Sequence, residues 1–455
     1  MFSDLPAEIH YLIARYLKSK DLYPLVCSSR RLHAVFKRSL YTDVTLNGRQ
    51  AKDRAVNIFL YAVTRTPRLA SFVRSLMVKG WDPRSSNRKN QHRVEFDSNL
   101  VRKLVCERTG YSDEERSNWL KDLERDNEDA WLALLILQLR GLRKLGLIWP
   151  YGSYYVLVML QKAAIGSEPI FPHLEEAYVA YADTEGSFSS HYMDAFFKIP
   201  SMRKVSCFML GENEDGDDEE YMPGSDDPRF PMQEIISPRC SNITDIDLEE
   251  SNAAEGMREL VQACRALKSF RITHGGGQVS YDIYQPRKIY ESLSLHKSTL
   301  ESIWVEPNDA EDYDDEWMGS FVDFTALKVI CAFFCNLVGN DEGYDEMRKL
   351  RDVLPFSLEI LYVSVEYDET FNIAIDQLAE LTASESFPKL ATIHLEFHGL
   401  KIPENVARFE CLEQRCQEAG VLCFSHISKW TEEEKQTMGL WPDNEAYLLG
   451  YRNWE

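Results

Sequence analysis

The side chains best suited to chemistry in this sequence do not assemble into a reaction centre. It contains no GxGxxG, no GxxxxGK[ST], no HExxH and no GxSxG, the spacings that bring backbone N–H groups to a phosphate, two imidazoles to a metal, or a serine to an exposed turn. His394 and His398 are four residues apart, but they fall in a predicted strand and the turn after it, where that spacing does not bring side chains together. Both read as surface or core histidines rather than metal ligands. Gly275-Gly276-Gly277 follows a predicted strand without an accompanying GKS/T and reads as a flexible turn. The acidic run from Glu212 to Asp227 lacks the Asp/Asn, Gly and Glu spacing of a calcium loop and reads as a solvated or disordered segment. The ten cysteines include no CxxC pair; Cys331 and Cys335 sit in an apolar stretch, Cys411 and Cys416 in a helical one, and all are expected to be thiols. The expectation is a non-catalytic chain with no cofactor and no metal.

Composition narrows the alternatives. With 455 residues, 44% of them hydrophobic, and 22 Phe and 22 Tyr, the chain has enough apolar side chain to fold as several domains or one elongated array. Its net charge of -22 opposes binding to phosphate backbones and anionic lipid, so neither nucleic acid nor membrane is an expected partner. The longest apolar run, Trp131 to Leu137, is far short of the roughly 20 residues that cross a bilayer. Met1-Phe2-Ser3-Asp4 shows neither a basic nor an apolar leader region, and the expected location is cytoplasmic, nuclear or both. Charge also changes sign along the chain. Residues 1–50 carry eight Lys/Arg against four Asp/Glu, a net of +4, which leaves -26 for the rest. The basic amino-terminal segment is therefore suited to an acidic partner.

That segment reads as three short helices. Pro6 and Glu8 suit a helix start, and Leu5, Ile9, Ile13 and Leu17 recur every four residues as one stripe. Asp21 can cap a second helix carrying Leu22, Leu25 and Val26, and Ser28 or Ser29 a third carrying Leu32, Val35, Phe36 and Leu40. So small a unit buries too little surface to be more than marginally stable alone, and a second chain is expected to cover part of these stripes.

The order Leu5-Pro6-Ala7-Glu8-Ile9, Ile13, Tyr16-Leu17, Asp21-Leu22, Val26-Cys27-Ser28-Ser29-Arg30-Arg31-Leu32, then Leu40-Tyr41 with Val44 and Leu46, resembles an F-box over about residues 3 to 46. The resemblance implies docking on the acidic Skp-family adaptor of a cullin-RING ubiquitin ligase, with Leu5, Pro6, Ile9, Ile13, Leu22, Leu25 and Val26 on or near the adaptor contact. On periodicity alone the same residues are also readable as ordinary packing positions of a small helical bundle.

Beyond residue 50 a pattern recurs: apolar, two residues, apolar, one residue, apolar. It appears as Val73/Leu76/Val78, Leu142/Leu145/Leu147, Leu174/Ala177/Val179, Met202/Val205/Cys207, Ile243/Ile246/Leu248, Leu267/Phe270/Ile272, Leu300/Ile303/Val305, Leu327/Ile330/Ala332, Leu358/Leu361/Val363 and Leu390/Ile393/Leu395. From Leu142 onward the copies start 24 to 41 residues apart, with helical segments between them such as Glu255 to Leu267, Phe371 to Ser384 and Glu404 to Ala419. The pattern looks like an irregular leucine-rich repeat array, and the fold class expected is α/β: a small three-helix F-box at 1–50, then a curved solenoid at 51–425 with parallel strands inside and helices outside. A helical insertion is expected at about 84–139, acidic loops at 212–227 and 306–316, and a cap or tail at 426–455.

In such units the residue between the last two apolar positions faces away from the helices, and Tyr178, Arg271, Trp304 and Tyr362 occupy it as the candidate substrate-facing row. Segments that follow the strands emerge on one edge, where Asp183, Glu185, Glu212, Glu249, Glu250, Glu306, Glu366 and Asp368 join the acidic loops; Asp217, Asp218, Glu219 and Glu220 are its candidate contacts to a basic protein substrate. The functional expectation is the substrate-recognition subunit of an SCF-type E3 ligase, which binds the adaptor, and through it cullin, by the F-box and an unknown protein substrate by the repeats. The alternative is a scaffold that holds the adaptor without directing ubiquitination.

Overall fold

The computed structural model describes residues 5–46, 55–81, 83, 97–107, 110–150, 152–166, 170–182, 186–212, 236–275, 284–307, 316–339, 347–365 and 368–426. They belong to two compact units, one of residues up to 183 with 192–203, the other of residues 184–191, 204–215 and 236 onward.

The first unit opens with three helices, α1 (Ala7–Ala14), α2 (Ser19–Ser28) and α3 (Arg30–Leu40). Pro6, Asp21 and Ser29 lie at the three starts, with Pro6 just before the first helix, Asp21 at the third helical position behind Lys18 rather than as the cap, and Ser29 as the cap of the third. The Pro6 carbonyl accepts from the Ile9 and His10 N–H groups, the Asp21 carboxylate reaches back to the Lys18 N–H at 3.3 Å, and Ser29 Oγ accepts from the Leu32 N–H at 3.2 Å. Their core is Ala14, Leu22, Val26, Leu32 and Phe36, flanked by half-buried Leu17, Leu25 and Leu40. Against the expected stripe, α1 buries His10 and Ala14, with the His10 ring edge-on to Phe36 at 5.4 Å, while Ile9 stays outside.

Then come β1 (Asp43–Leu46), α4 (Ala55–Arg65), α5 (Pro67–Ala70), β2 (Ser75–Val78), α6 (Ser98–Cys106), α7 (Asp113–Glu124), α8 (Glu128–Ile136), β3 (Lys144–Trp149), α9 (Tyr155–Ile165) and β4 (Glu176–Tyr181), with α10 (Asp194–Lys198) after them. The four strands are parallel and adjacent in chain order. Val44 and Leu46, read from sequence as the end of the F-box pattern, lie in β1 opposite Leu76 and Val78. The polar caps Asp97, Ser112 and Asn127 start α6, α7 and α8 within the expected insertion. Helix α8 is apolar all round and buried throughout from Asp129 to Ile136. Asp129 is kept in that interior because four donors converge on it: Trp81 Nε1 (2.8 Å), Ser153 Oγ (2.6 Å), and the N–H groups of Tyr154 (2.7 Å) and Tyr155 (2.5 Å) at the start of α9.

The second unit contains β6 (Lys204–Phe208), β8 (Asp245–Ser251), β9 (Ser269–His274), β10 (Ser302–Pro307), β11 (Val329–Phe333), β12 (Ile360–Val365), β13 (Thr392–Phe397) and β14 (Leu422–His426), parallel and side by side in that order. Two short strands, β5 (Phe188–Ser189) and β7 (Leu210–Gly211), pair separately. Between the long strands lie α11 (Arg258–Ala263), α12 (Pro286–Leu293), α13 (Phe334–Val338), α14 (Leu350–Val353), α15 (Asp368–Thr382) and α16 (Pro403–Glu418). The apolar triplets form the core: Leu267, Phe270, Ile272, Leu300, Val305, Leu358 and Leu361 have no exposed surface. One carbonyl before each strand ties consecutive repeats together. Lys268 accepts from the N–H groups of Glu301 and Ser302, Glu301 from Lys328 and Val329, Lys328 from Glu359 and Ile360, and Glu359 from Ala391 and Thr392. Twofold use of a carbonyl gives both N–H groups that open each following strand an acceptor.

Candidate protein-binding surfaces

In the first unit, helix α1 carries apolar side chains on both sides. His10 and Ala14 turn into the bundle, whereas Ile9 and Leu12 on the helix and Tyr16 in the turn that follows it are 41%, 50% and 88% exposed. Tyr11 and Tyr23 add 44% and 63% exposed rings. Of the seven candidate adaptor contacts, Pro6 and Ile9 are exposed and Leu5, Ile13 and Leu25 half-buried. Leu22 and Val26, at 3% and 8%, instead pack in the bundle's own core. Leu12 is not singled out by the sequence pattern, and Tyr16 enters only as part of the F-box pattern and not as a contact, because a four-residue period drifts around a helix and selects positions that end on different sides. Basic side chains lie at the last turn of α3, where Lys37 and Arg38 also face the helix dipole's negative end.

In the second unit the candidate row is in register. Cα pairing runs Ser206, Asp247, Arg271, Trp304, Cys331, Tyr362, His394, Phe424 across adjacent strands. Tyr178 belongs to the corresponding row of the first unit, opposite Gly146 and Met77, and is half-buried. At Gly146 an added Cβ would stand 2.7 Å from Met77 Sδ, so the glycine lets that methionine lie across the strand.

The expected exposure is not found. Arg271, Trp304 and Tyr362 are 5%, 2% and 1% exposed, and Trp304, Cys331 and Tyr362 form a small cluster of their own. Each side chain lies against the next. The Arg271 guanidinium is 5.7 Å from the Trp304 ring and 3.6 Å from Asp247, Trp304 meets Tyr362 at 5.4 Å, and Tyr362 stacks on His394 at 4.2 Å. Trp304 Nε1 donates to Glu306 at 2.8 Å. Burial pushes the Tyr362 hydroxyl's pKa up, with the Cys331 thiol adding to the rise. These are cohesive positions of the sheet rather than free anchors.

The acidic edge is also altered. Asp217, Asp218, Glu219 and Glu220 lie outside the described residues, as do Asp183, Glu185 and Glu366. Among the described ones, Glu306 is turned in to Trp304, and Glu212 accepts from the N–H groups of Glu255 and Met257, both at 2.9 Å, just before α11. Burial raises the Glu212 carboxyl's pKa, and those two donors pull it back. Glu249 and Glu250 are half-buried and Asp368 exposed.

Among the described residues no helix is long and apolar enough to cross a membrane. A family model for a leucine-rich repeat domain matches residues 230–432, which spans β8 to β14. No curated protein matches the chain.

Proposed function

We propose that this chain is the substrate-recognition subunit of an SCF-type ubiquitin ligase: α1 to α3 dock a Skp-family adaptor, which brings cullin, and the repeats hold a protein target. A leucine-rich repeat domain supports the coarser half of this reading, because parallel repeats present a broad protein-binding surface. The observation that carries the finer half is the outward face of α1. A bundle with five buried core residues leaves Ile9, Leu12 and Tyr16 in solvent, an apolar patch on a basic segment that suits an acidic partner with an apolar groove. In this reading the chain breaks no bond itself; it holds substrate lysines at high effective concentration beside a recruited conjugating enzyme.

The test is recovery of the full chain from cells. Adaptor and cullin recovered together, with targets that accumulate when Ile9→Asp is introduced, is the expected result. Adaptor without cullin would assign the chain to scaffolding, and neither would remove the docking reading altogether.

A further inference from the structure

The sequence places His394 beside His398, but the sheet places it beside His426. Strand β13 pairs with β14 so that His394 lies opposite Phe424 and Glu396 opposite His426, and alternation puts all four on one face. His394 Nδ1 and His426 Nε2 share a hydrogen bond at 3.4 Å, with the tautomers deciding which ring donates. Two ligands bound to a tetrahedral ion at about 2.0–2.1 Å stand about 3.4 Å apart by simple geometry. The two ring nitrogens are therefore already at chelating separation.

The donor ring is held in place. His394 lies between Tyr362, at 4.2 Å and 14° between planes, and Phe424, at 5.0 Å and 22°. A ring stacked on both sides keeps its plane, so little rotamer freedom is lost when a ligand binds. Among the described residues β14 pairs only with β13; its Phe424 is 45% exposed and His426 half-buried, whereas His394 is only 8% exposed, so an ion would approach from the β14 side. Glu396, the register partner of His426, accepts from Ser364 Oγ at 3.2 Å and adds a carboxylate to the same face.

We propose that His394 Nδ1 and His426 Nε2 form a two-imidazole chelate for a divalent late transition metal, with zinc as the reference ion, at the edge of the second unit's sheet. Imidazole suits zinc, copper and nickel and disfavours magnesium and calcium. Among the described residues no three His, Cys, Asp or Glu side chains converge on one point, so the described residues supply two nitrogens and water would fill the positions they leave. Each ring binds in its neutral form, the proton resting on His394 Nε2 and on His426 Nδ1, so the bound state needs a tautomer choice and no net proton loss. The site stands whether or not the amino-terminal bundle docks an adaptor.

Titrating zinc into the full chain, first stripped with a chelator, tests it by calorimetry, with cobalt absorption as a second readout because the chain's thiols also bind these ions. One ion per chain is expected, with a cobalt spectrum free of thiolate charge-transfer bands. His426→Gln, a change at a half-buried edge position, is expected to weaken binding at least tenfold; His394→Gln is to do the same. Unchanged zinc affinity in His426→Gln, binding of cobalt through thiolates alone, or no stoichiometric binding by the unaltered chain would each overturn the assignment.

Discussion

The Nε2 of His296 lies 2.9 Å from the carbonyl oxygen of Val261, and its Nδ1 accepts the Leu267 N–H at 3.4 Å. Both ring nitrogens are thus used by the backbone of the preceding repeat, and only the neutral ring protonated at Nε2 fits. Burial lowers the ring's pKa below its usual 6.5; the Val261 carbonyl opposes the shift and Arg239 adds to it. A lowered folded-state pKa contributes stability above 6.5 that is lost as the pH falls below that value, because the unfolded ring then takes up a proton and the folded one resists it. Urea unfolding of the full chain is expected to show a falling midpoint from pH 7 to 5.5, and a shallower fall in His296→Gln. Equal slopes for the two proteins would remove His296 as the cause.

Trp304 and Tyr16 separate cohesion from docking. Trp304→Ala removes a buried ring and leaves Glu306 without its indole donor, so it should cost about 3–5 kcal/mol of stability. Tyr16→Ala, at a position 88% exposed, should change stability by no more than about 0.5 kcal/mol. Thermal or urea unfolding measures both. A small effect at Trp304 would mean that the row faces solvent after all.

Asp129 holds α8 to the start of α9 through both carboxylate oxygens, Oδ1 taking Trp81 and Ser153 and Oδ2 taking two backbone N–H groups. Asp129→Asn keeps one oxygen and turns an NH2 group toward two donors. A loss of about 2–4 kcal/mol is expected, measured by unfolding and by faster hydrogen exchange at Tyr154 and Tyr155.

Gly256 has a φ of +73°, and a Cβ there would collide with the Lys288 carbonyl oxygen. Gly256→Ala should therefore destabilise the second unit by about 2 kcal/mol or more, since neither the left-handed backbone nor the close approach to α12 can be kept without strain. An alanine variant as stable as the unaltered chain would show that the turn relaxes freely.

The repeats were legible because a triplet with fixed spacing is imposed by the strand's own alternation, and three of the four positions chosen for the row, Arg271, Trp304 and Tyr362, proved to share one register. How deeply that row lies was not legible. Alternation tells which face Trp304 occupies, not that Tyr362, two strands on, leans against it. The duties of Glu306 and Glu212 were hidden for a related reason: Glu306 is claimed by an indole two residues away in the same strand, and Glu212 by N–H groups 43 and 45 residues later. Strand β14 was passed over because, among the described residues, it pairs on one side only and keeps Leu422 and Phe424 exposed, so the apolar triplet does not form. Its alternation of Leu422, Phe424 and His426 was the available signal.

The most direct measurement is calorimetric binding of a purified Skp-family adaptor to the full chain and to Ile9→Asp/Tyr16→Ala, with circular dichroism of both. Ile9 is exposed on α1 and Tyr16 in the turn after it, and neither belongs to the core of Ala14, Leu22, Val26, Leu32 and Phe36. Submicromolar binding by the unaltered chain, weakened at least a hundredfold in the double variant with an unchanged spectrum, is the result predicted. Equal binding by the two proteins, or no binding by the unaltered chain, would contradict the account.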